Sequence, residues 1–311
     1  MIGRRRRRSE DSGAPSDAPE TPEATTATPN KRGTAVLETA PDAAPDTSAG
    51  PAEEPPPDEP LDGDAAGTRQ HTGWRLSLRN LTPLLLLRAA HPRQAILTAF
   101  GLAVAAALAN RPTREVGLVF ATVLVGQAVL GWHNDIVDRA RDAAHQTPGK
   151  PIADGRLDPG TAWFALACGV LLVVPLAISN GTSSGMAYLV SLLVGIFANL
   201  ALRRGFLSWL PWAVAFALYP AFLSYGGWAG NADGGPPEPW LVVLAALLGI
   251  GAHFLTSLWG LVPDNADGWT YLPLKLGLRL GAGRLLAVTC LYIALVLVGM
   301  AFAGTYVGLA Q

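Results

Sequence analysis

The chain has 311 residues, half of them apolar, with 15% charged and a formal net charge of −1. An ordinary soluble domain has about a quarter charged residues, so the composition excludes one; the net charge itself says little about partners, and no nucleic-acid partner is expected. The charge is also unevenly placed: residues 1–73 hold fourteen of the twenty-four acids, eight of the twenty-three bases and eleven of the twenty-five prolines, with no aromatic residue.

That first stretch cannot bury enough apolar surface to offset the entropy of ordering it. Residues 1–73 are therefore expected to form a disordered tail rich in proline and acid. Near its start, Arg4 to Arg8 place five cations side by side. Beside an anionic leaflet each contributes about 1 kcal/mol of attraction; in water the same run is a solvated charge cluster, and both readings stand. No apolar segment follows before Trp74, so neither a secretory nor a twin-arginine signal is expected.

From Trp74 the chain changes to long apolar runs, and residues 74–311 are expected to form one membrane-embedded domain. Residues 75–90, with Arg75, Arg79 and Arg88 among leucines, have the pattern of an amphipathic helix lying in the interface. Seven spans follow, near 92–109, 114–133, 160–179, 185–202, 209–227, 240–262 and 284–308. A bilayer needs about 20 apolar residues per crossing, and backbone groups in lipid must pair within the segment, so the spans are helices. The expected fold is all-α, a polytopic membrane helix bundle.

Basic residues stay on the cytoplasmic side. With the N-terminus inside, thirteen of the fifteen bases after residue 73 fall inside, and only Arg111 and Arg114 outside. The expected location is the cell membrane, multi-pass, with a cytoplasmic N-terminus and an extracellular C-terminus. Cys168 and Cys290 lie within spans, where cysteine behaves as a small buried apolar residue. His253, alone in an apolar helix, is expected to be a packed or hydrogen-bonded structural histidine.

The chemistry then rests with ten acids: Glu115, Asp135, Asp138, Asp142, Asp154, Asp158, Asp233, Glu238, Asp264 and Asp267. Seven of them lie in the second and sixth connections, which the topology puts on one membrane face. Ionisable groups at such helix ends are candidates for function, because leaving them unpaired near hydrocarbon is costly. In the second connection Asn134, Asp138 and Asp142 are spaced by four, so on a helical extension they stack on one face, drifting about 40° per step. Such an oxygen-bearing row suits Mg²⁺, which takes one or two carboxylates and completes its shell with water and phosphate. It equally describes a polar helix end with Arg139 and Arg141 as counter-ions.

This motif, followed by the KPIADGRL run from Lys150 to Leu157, resembles the UbiA family of intramembrane aromatic prenyltransferases. The sixth connection is similar to that family's second motif, with Gly251 to Phe254, Pro263 to Gly268 and Leu272 to Gly277. Arg203 with Arg204, and the stretch from Leu207 to Pro211, resemble the basic loop and proline-broken fifth span of actinobacterial-type members. The likeness runs from about residue 81 to 308. It implies a helical bundle around a lipid-accessible cavity where a prenyl diphosphate binds headgroup toward the cytoplasm. It further implies that Asn134, Asp138 and Asp142 hold one Mg²⁺, that Asp264 and Asp267 serve a second, and that Lys150, Arg203 and Arg204 neutralise phosphate. Trp132, Phe197, Trp209, Trp212 and Tyr219 are placed to supply a π-rich wall for an allylic cation, or simply to anchor and pack. An aromatic or lipid-like acceptor completes the expected reaction.

Two departures keep a non-catalytic reading open, in which the same fold binds prenyl lipids or serves as a small transporter. The family typically has nine spans whereas this chain reaches Gln311 after a seventh, so a partner chain is a possible source of the remaining wall. Gly260 also stands four residues before Asp264, where the family usually carries a carboxylate, so the second metal motif is expected to be weak and Gly260→Asp to strengthen it. A CDP-alcohol phosphotransferase, which also uses membrane-face aspartates, needs a glycine directly after its second aspartate, and Asp138 is followed by Arg139.

Overall fold

In a computed structural model, residues 81–227 and 234–307 are described. The proline-rich tail with its arginine run, Trp74, Arg75 and Arg79, Asp233 and Gln311 lie outside the described residues. In chain order the helices are α1 (Thr82–Ala89), α2 (Pro92–Leu108), α3 (Thr113–Val137), α4 (Arg139–Ala144), α5 (Pro159–Ser179), α6 (Thr182–Phe197), α7 (Trp209–Ala217), α8 (Tyr219–Ser224), α9 (Pro239–Ser257), α10 (Leu261–Ala266), α11 (Leu272–Leu280) and α12 (Ala282–Val307). No strand occurs among the described residues.

Among the described residues six segments are long and apolar enough to cross a membrane: Thr113–Val137, Pro159–Ser179, Thr182–Leu202, Phe206–Ser224, Pro239–Ala266 and Ala282–Gly304. The first of the seven expected spans is α2, apolar but only 17 residues long. At 1.5 Å per residue it reaches about 25 Å, slightly less than a hydrocarbon core of about 30 Å. Outward-facing side chains such as Leu97, Phe164, Leu171 and Val298 are 67–76% exposed. In water such a surface drives aggregation; in a bilayer it meets its own solvent.

Between helices in lipid, close packing replaces the hydrophobic drive, and small residues permit it. α2 lays Ala95, Ala99, Ala103 and Ala106, all buried, toward the bundle and packs on α3. From there α3 packs on α5, α5 on α6, α6 on α7 and α8, α7 on α9, and α9 on α12. The centre holds Tyr188 and Phe222, with ring centroids 4.9 Å apart, among Val119, Val123 and Val173. Polar groups here are satisfied internally: Asn180 Nδ2 donates to Thr122 Oγ1 at 3.0 Å, and Ser184 donates to the Phe222 carbonyl. Cys168 and Cys290 are unpaired, as expected, but exposed on the outer surface instead of buried.

Two breaks in the helices shape the site. The fifth span is interrupted at Leu218, ahead of Pro220, and not at Pro211 as the resemblance implied. Pro211 sits in the first turn of α7, where its missing N–H has no intrahelical partner to lose, whereas Pro220 denies the chain a bond in mid-span. The sixth span passes from α9 through a 3₁₀ turn, Leu258–Gly260, into α10. α7 and α9 touch at Gly249, where a Cβ would meet the Trp212 carbonyl oxygen at 2.4 Å, so only glycine allows this crossing.

At one end of the bundle the second connection, the Arg203 loop and the sixth connection meet, and Thr270 N–H donates to the Arg204 carbonyl at 2.9 Å. Away from that end, Arg111 folds onto the carbonyls of Leu223 and Gly226, satisfying groups in the last turn of α8 and just beyond it. Its guanidinium is pushed down by burial, against the raising influence of Glu115.

A candidate active site at one end of the bundle

α3 ends at Val137, but the turn continues: Asp138 N–H bonds the Asn134 carbonyl at 2.9 Å and Asp142 N–H bonds the Asp138 carbonyl at 2.8 Å. Asp135, Asp138 and Asp142 are all buried, at 2%, 7% and 5% exposure. The following loop is pinned by Ile152 and Leu157, which pack with Leu85, Ala89 and Ala162. That anchoring places Lys150 Nζ 2.5 Å from Asp135 Oδ1 and 3.5 Å from Asp142 Oδ2. His91, at the turn before α2, approaches the same Asp135 oxygen at 2.7 Å.

The second half of the site is built by a helix stop. After α10, Gly268 takes a left-handed backbone with φ of +70°. Its N–H bonds the Asn265 carbonyl at 3.1 Å, and Trp269 N–H bonds the Asp264 carbonyl at 3.0 Å. This pairing is a Schellman cap, and it turns the chain back on itself. As a result Tyr271 donates its hydroxyl to the Asp264 side chain. Burial, followed by this bond to Asp264, pushes the Tyr271 hydroxyl well above its ordinary range.

Arg141 joins the two halves. Its Nη2 is 2.5 Å from Asp264 Oδ1 and its Nε is 2.5 Å from Asp267 Oδ2, while His145 approaches the other Asp267 oxygen at 2.8 Å. Burial works against the Arg141 charge, yet the bond to Asp267 and the charges of Asp264, Asp267 and Asp138 raise its pKa overall. Hydrogen bonds from Arg141 and His145 hold the Asp267 carboxyl below its ordinary value. Asp267 therefore supports this clasp above the ordinary carboxylate range, and its support is lost as pH falls through the lowered value. Arg203 pairs with Asp138 across the site. Trp269 lies under all three arginines, with Arg141, Arg203 and Arg204 at 4.4, 5.4 and 5.7 Å from its ring centre.

A cavity of about 230 Å³ opens beside these groups, lined by Asn134, Asp138 and Arg141 on one side and Gly260, Asp264 and Trp269 on another. Its oxygen donors suit a hard divalent cation. Asp142 Oδ2 is buried without a hydrogen bond, its nearest cation being Lys150 Nζ at 3.5 Å, beyond hydrogen-bond length for a direct contact. Arg203 Nε is likewise buried and without an acceptor, an open donor for an anion. Among the described residues no group of three acids, histidines or cysteines is placed to hold a metal by itself, so a cation here would complete its shell with water or ligand oxygens.

Of the expected site residues, Asn134, Asp138, Arg203 and Asp264 line this cavity. Asp142 and Lys150 sit together on the Asp135 side, Asp267 reaches the site through Arg141, and Arg204 stands over Trp269. Of the five aromatic residues expected to form its wall, Trp212 alone lines it. Trp132 instead lines a separate apolar cavity with Leu86 and Cys168, Phe197 is exposed and Tyr219 belongs to the core. Arg141, Trp269, Tyr271, Asn199 and Ser208 are among the lining residues that the sequence did not mark as part of a site.

Gly260 has a direct steric role. A Cβ there would meet Asp264 Oδ2 at 2.6 Å, so the carboxylate folds into the space that glycine leaves. A side chain there forces Asp264 Oδ2, the oxygen that accepts from Tyr271, to shift, so Gly260→Asp adds a carboxylate at the cost of moving one already in place. Gly260→Ala is expected to lower Mg²⁺-dependent ligand binding by about tenfold, near 1.4 kcal/mol. Unchanged binding in a titration of the folded variant would show that this space is not needed.

No curated protein and no solved structure matches the chain. The model of the UbiA prenyltransferase family does match, over residues 95–310, which takes in both acid motifs and the arginine loop between them. With most of its length covered and an all-helical multi-pass structure, the chain belongs to the UbiA prenyltransferase family.

Proposed function

We propose that the protein transfers a prenyl group from a prenyl diphosphate to an aromatic or lipid-like acceptor, with Mg²⁺, at the cytoplasmic end of its bundle. The observation that carries this reading is the convergence of two acid motifs, 126 residues apart at Arg141 and Asp267, with three arginines around Trp269 beside one cavity. Asn134, Asp138 and Asp142 would hold one Mg²⁺, and Asp264 with Asp267 a second. Bound there, the metal supplies electrostatic stabilisation to the departing diphosphate.

The chain's own residues do the rest. Arg203, with its open Nε donor, Arg204 and Arg141 bind phosphate oxygens, and Lys150 holds the Asp135 and Asp142 side in place while adding positive charge. Trp269 keeps the guanidinium groups stacked and oriented. Trp212 gives the apolar part of the cavity an aromatic face for the prenyl chain. Incubating membranes containing the protein with labelled prenyl diphosphates of several lengths, with and without Mg²⁺, tests the reading. Labelled lipid product that requires Mg²⁺ supports it; intact diphosphate at every length refutes it.

A second reading has one observation in its favour. Asp138, Asp142, Asp264 and Asp267 each already have a basic partner within the chain, so the acids are held together without metal. That is the arrangement of a family member that binds prenyl lipids without turnover, and tight binding with no product in the same experiment would favour it.

The proposed orientation rests on the thirteen-to-two partition of bases in the membrane portion. A reporter fused after Gln311 is expected outside the cell, and one inserted near Asp158 inside. Both on one side would refute an odd number of crossings.

A further inference from the structure

Along α9 and the 3₁₀ turn after it, residues three and four apart face the cavity: His253, Thr256 and Ser257 in the helix, Gly260 in the turn, and Asp264 continuing the stripe in α10. Polar groups in a span are expensive and mark function by default. Thr256 and Ser257 are absorbed by their own helix, donating to the Ala252 carbonyl at 2.9 Å and the His253 carbonyl at 2.7 Å. The His253 ring is not. Its Nε2 lies 2.9 Å from Ser208 Oγ, in the 3₁₀ turn ahead of α7, and the two residues line the cavity while only 6% and 2% exposed.

Position and company both bear on what this pair does. His253 precedes Asp264 by about three turns, on the other side of the 3₁₀ turn that separates α9 from α10. Trp212 and Tyr271 flank its ring at centroid distances of 5.7 and 6.2 Å. Three residues of the cavity wall are able to accept a proton: Asp138, Asp264 and His253. Arg203 holds Asp138, and Arg141 with Tyr271 holds Asp264. His253 alone faces no cation, only a hydroxyl that is able to pass a proton on.

We propose that His253, through Ser208, takes up the proton that a hydroxyl-bearing acceptor loses when it is prenylated. The inference rests on the prenyl-transfer reading above. In the step, a bond forms between the acceptor oxygen and C1 of the prenyl group, and the C1–O bond to diphosphate breaks, its electron pair leaving with the diphosphate. The acceptor proton passes to Ser208 Oγ as the Ser208 proton moves to His253 Nε2. This requires the ring proton on Nδ1, with the Nε2 lone pair toward Ser208. An acceptor with no acidic proton gains nothing from such a pair, so the pair selects hydroxylated acceptors.

The test uses the full chain in lipid nanodiscs with radiolabelled geranylgeranyl diphosphate, Mg²⁺ and 1-naphthol as the probe acceptor. Naphthyl product, free prenyl alcohol and released diphosphate are measured together. His253→Gln keeps a hydrogen-bonding partner for Ser208 but no base, and is expected to lower naphthyl product by about 10²–10⁴-fold. Diphosphate release is expected to fall much less than naphthyl product, the difference in label leaving as prenyl alcohol. Ser208→Ala, which lets the acceptor reach Nε2 directly, is expected to fall between the two. Product and diphosphate release that decline in parallel, or an unchanged product ratio in both variants, overturns the proposal. A wild-type chain that releases diphosphate yet prenylates no naphthol removes the hydroxyl-acceptor assignment, whereas one that releases no diphosphate refutes prenyl transfer itself.

Discussion

Asparagine in place of Asp138 or of Asp264 lowers prenyl transfer by about 10²–10³-fold while the chain still folds and inserts. Each substitution keeps the side-chain volume and removes only the charge, and each residue lines the cavity from a different motif. The loss falls on turnover and on Mg²⁺ dependence together, since the charge that the carboxylate offers to a cation is what is removed. Because the two motifs serve one diphosphate, the double variant is expected to cost little more than either single one. Product formation over a range of Mg²⁺ concentrations, with membrane insertion checked separately, measures this. Wild-type turnover in both single variants would show that the acids are a polar helix end and nothing more.

Arg141→Ala acts in the opposite direction on metal. In the ligand-free chain Arg141 occupies oxygens of both Asp264 and Asp267, so a cation must displace it. Without Arg141, affinity for Mn²⁺ as a Mg²⁺ substitute, titrated by EPR in the absence of substrate, should rise about tenfold. The metal-free variant should also be less stable. Its half-buried pair with Asp264 stands between an exposed pair, worth under about 1 kcal/mol, and a fully buried one worth about 3–5. A thermal midpoint that drops without metal and recovers with Mg²⁺ is the expected signature. Weaker metal binding in the variant would mean that Arg141 organises the acids for the cation instead of competing with it.

How far the sequence carries depends on which kind of contact decides each feature. Spans were legible because apolar runs of bilayer length have few other solutions, and α3, α5, α6, α9 and α12 overlap their expected ranges. That the second and sixth connections meet was legible from sidedness. What brings Arg141 to Asp264 and Asp267 was not, because it depends on the Schellman turn at Gly268, a backbone choice that places Trp269 and Tyr271. Asp142 and Lys150 are turned to the Asp135 side by the Ile152 and Leu157 anchor, which the four-residue spacing does not contain. The aromatic wall failed for a related reason: aromatic residues in spans are common, and which of them faces the cavity depends on how α7 crosses α9, a contact the spacing does not contain. His253 did carry a signal, the polar stripe at helical spacing that leads from it to Asp264.

The central claim is that two distant motifs form one metal-dependent diphosphate site. Calorimetric titration with a prenyl thiodiphosphate, which resists ionisation, measures it on wild type and on the Asp138→Asn and Asp264→Asn chains, with and without Mg²⁺. One binding event per chain is expected, dependent on Mg²⁺ and lost in each variant. Binding that is indifferent to Mg²⁺, or that survives the loss of either carboxylate, would contradict it.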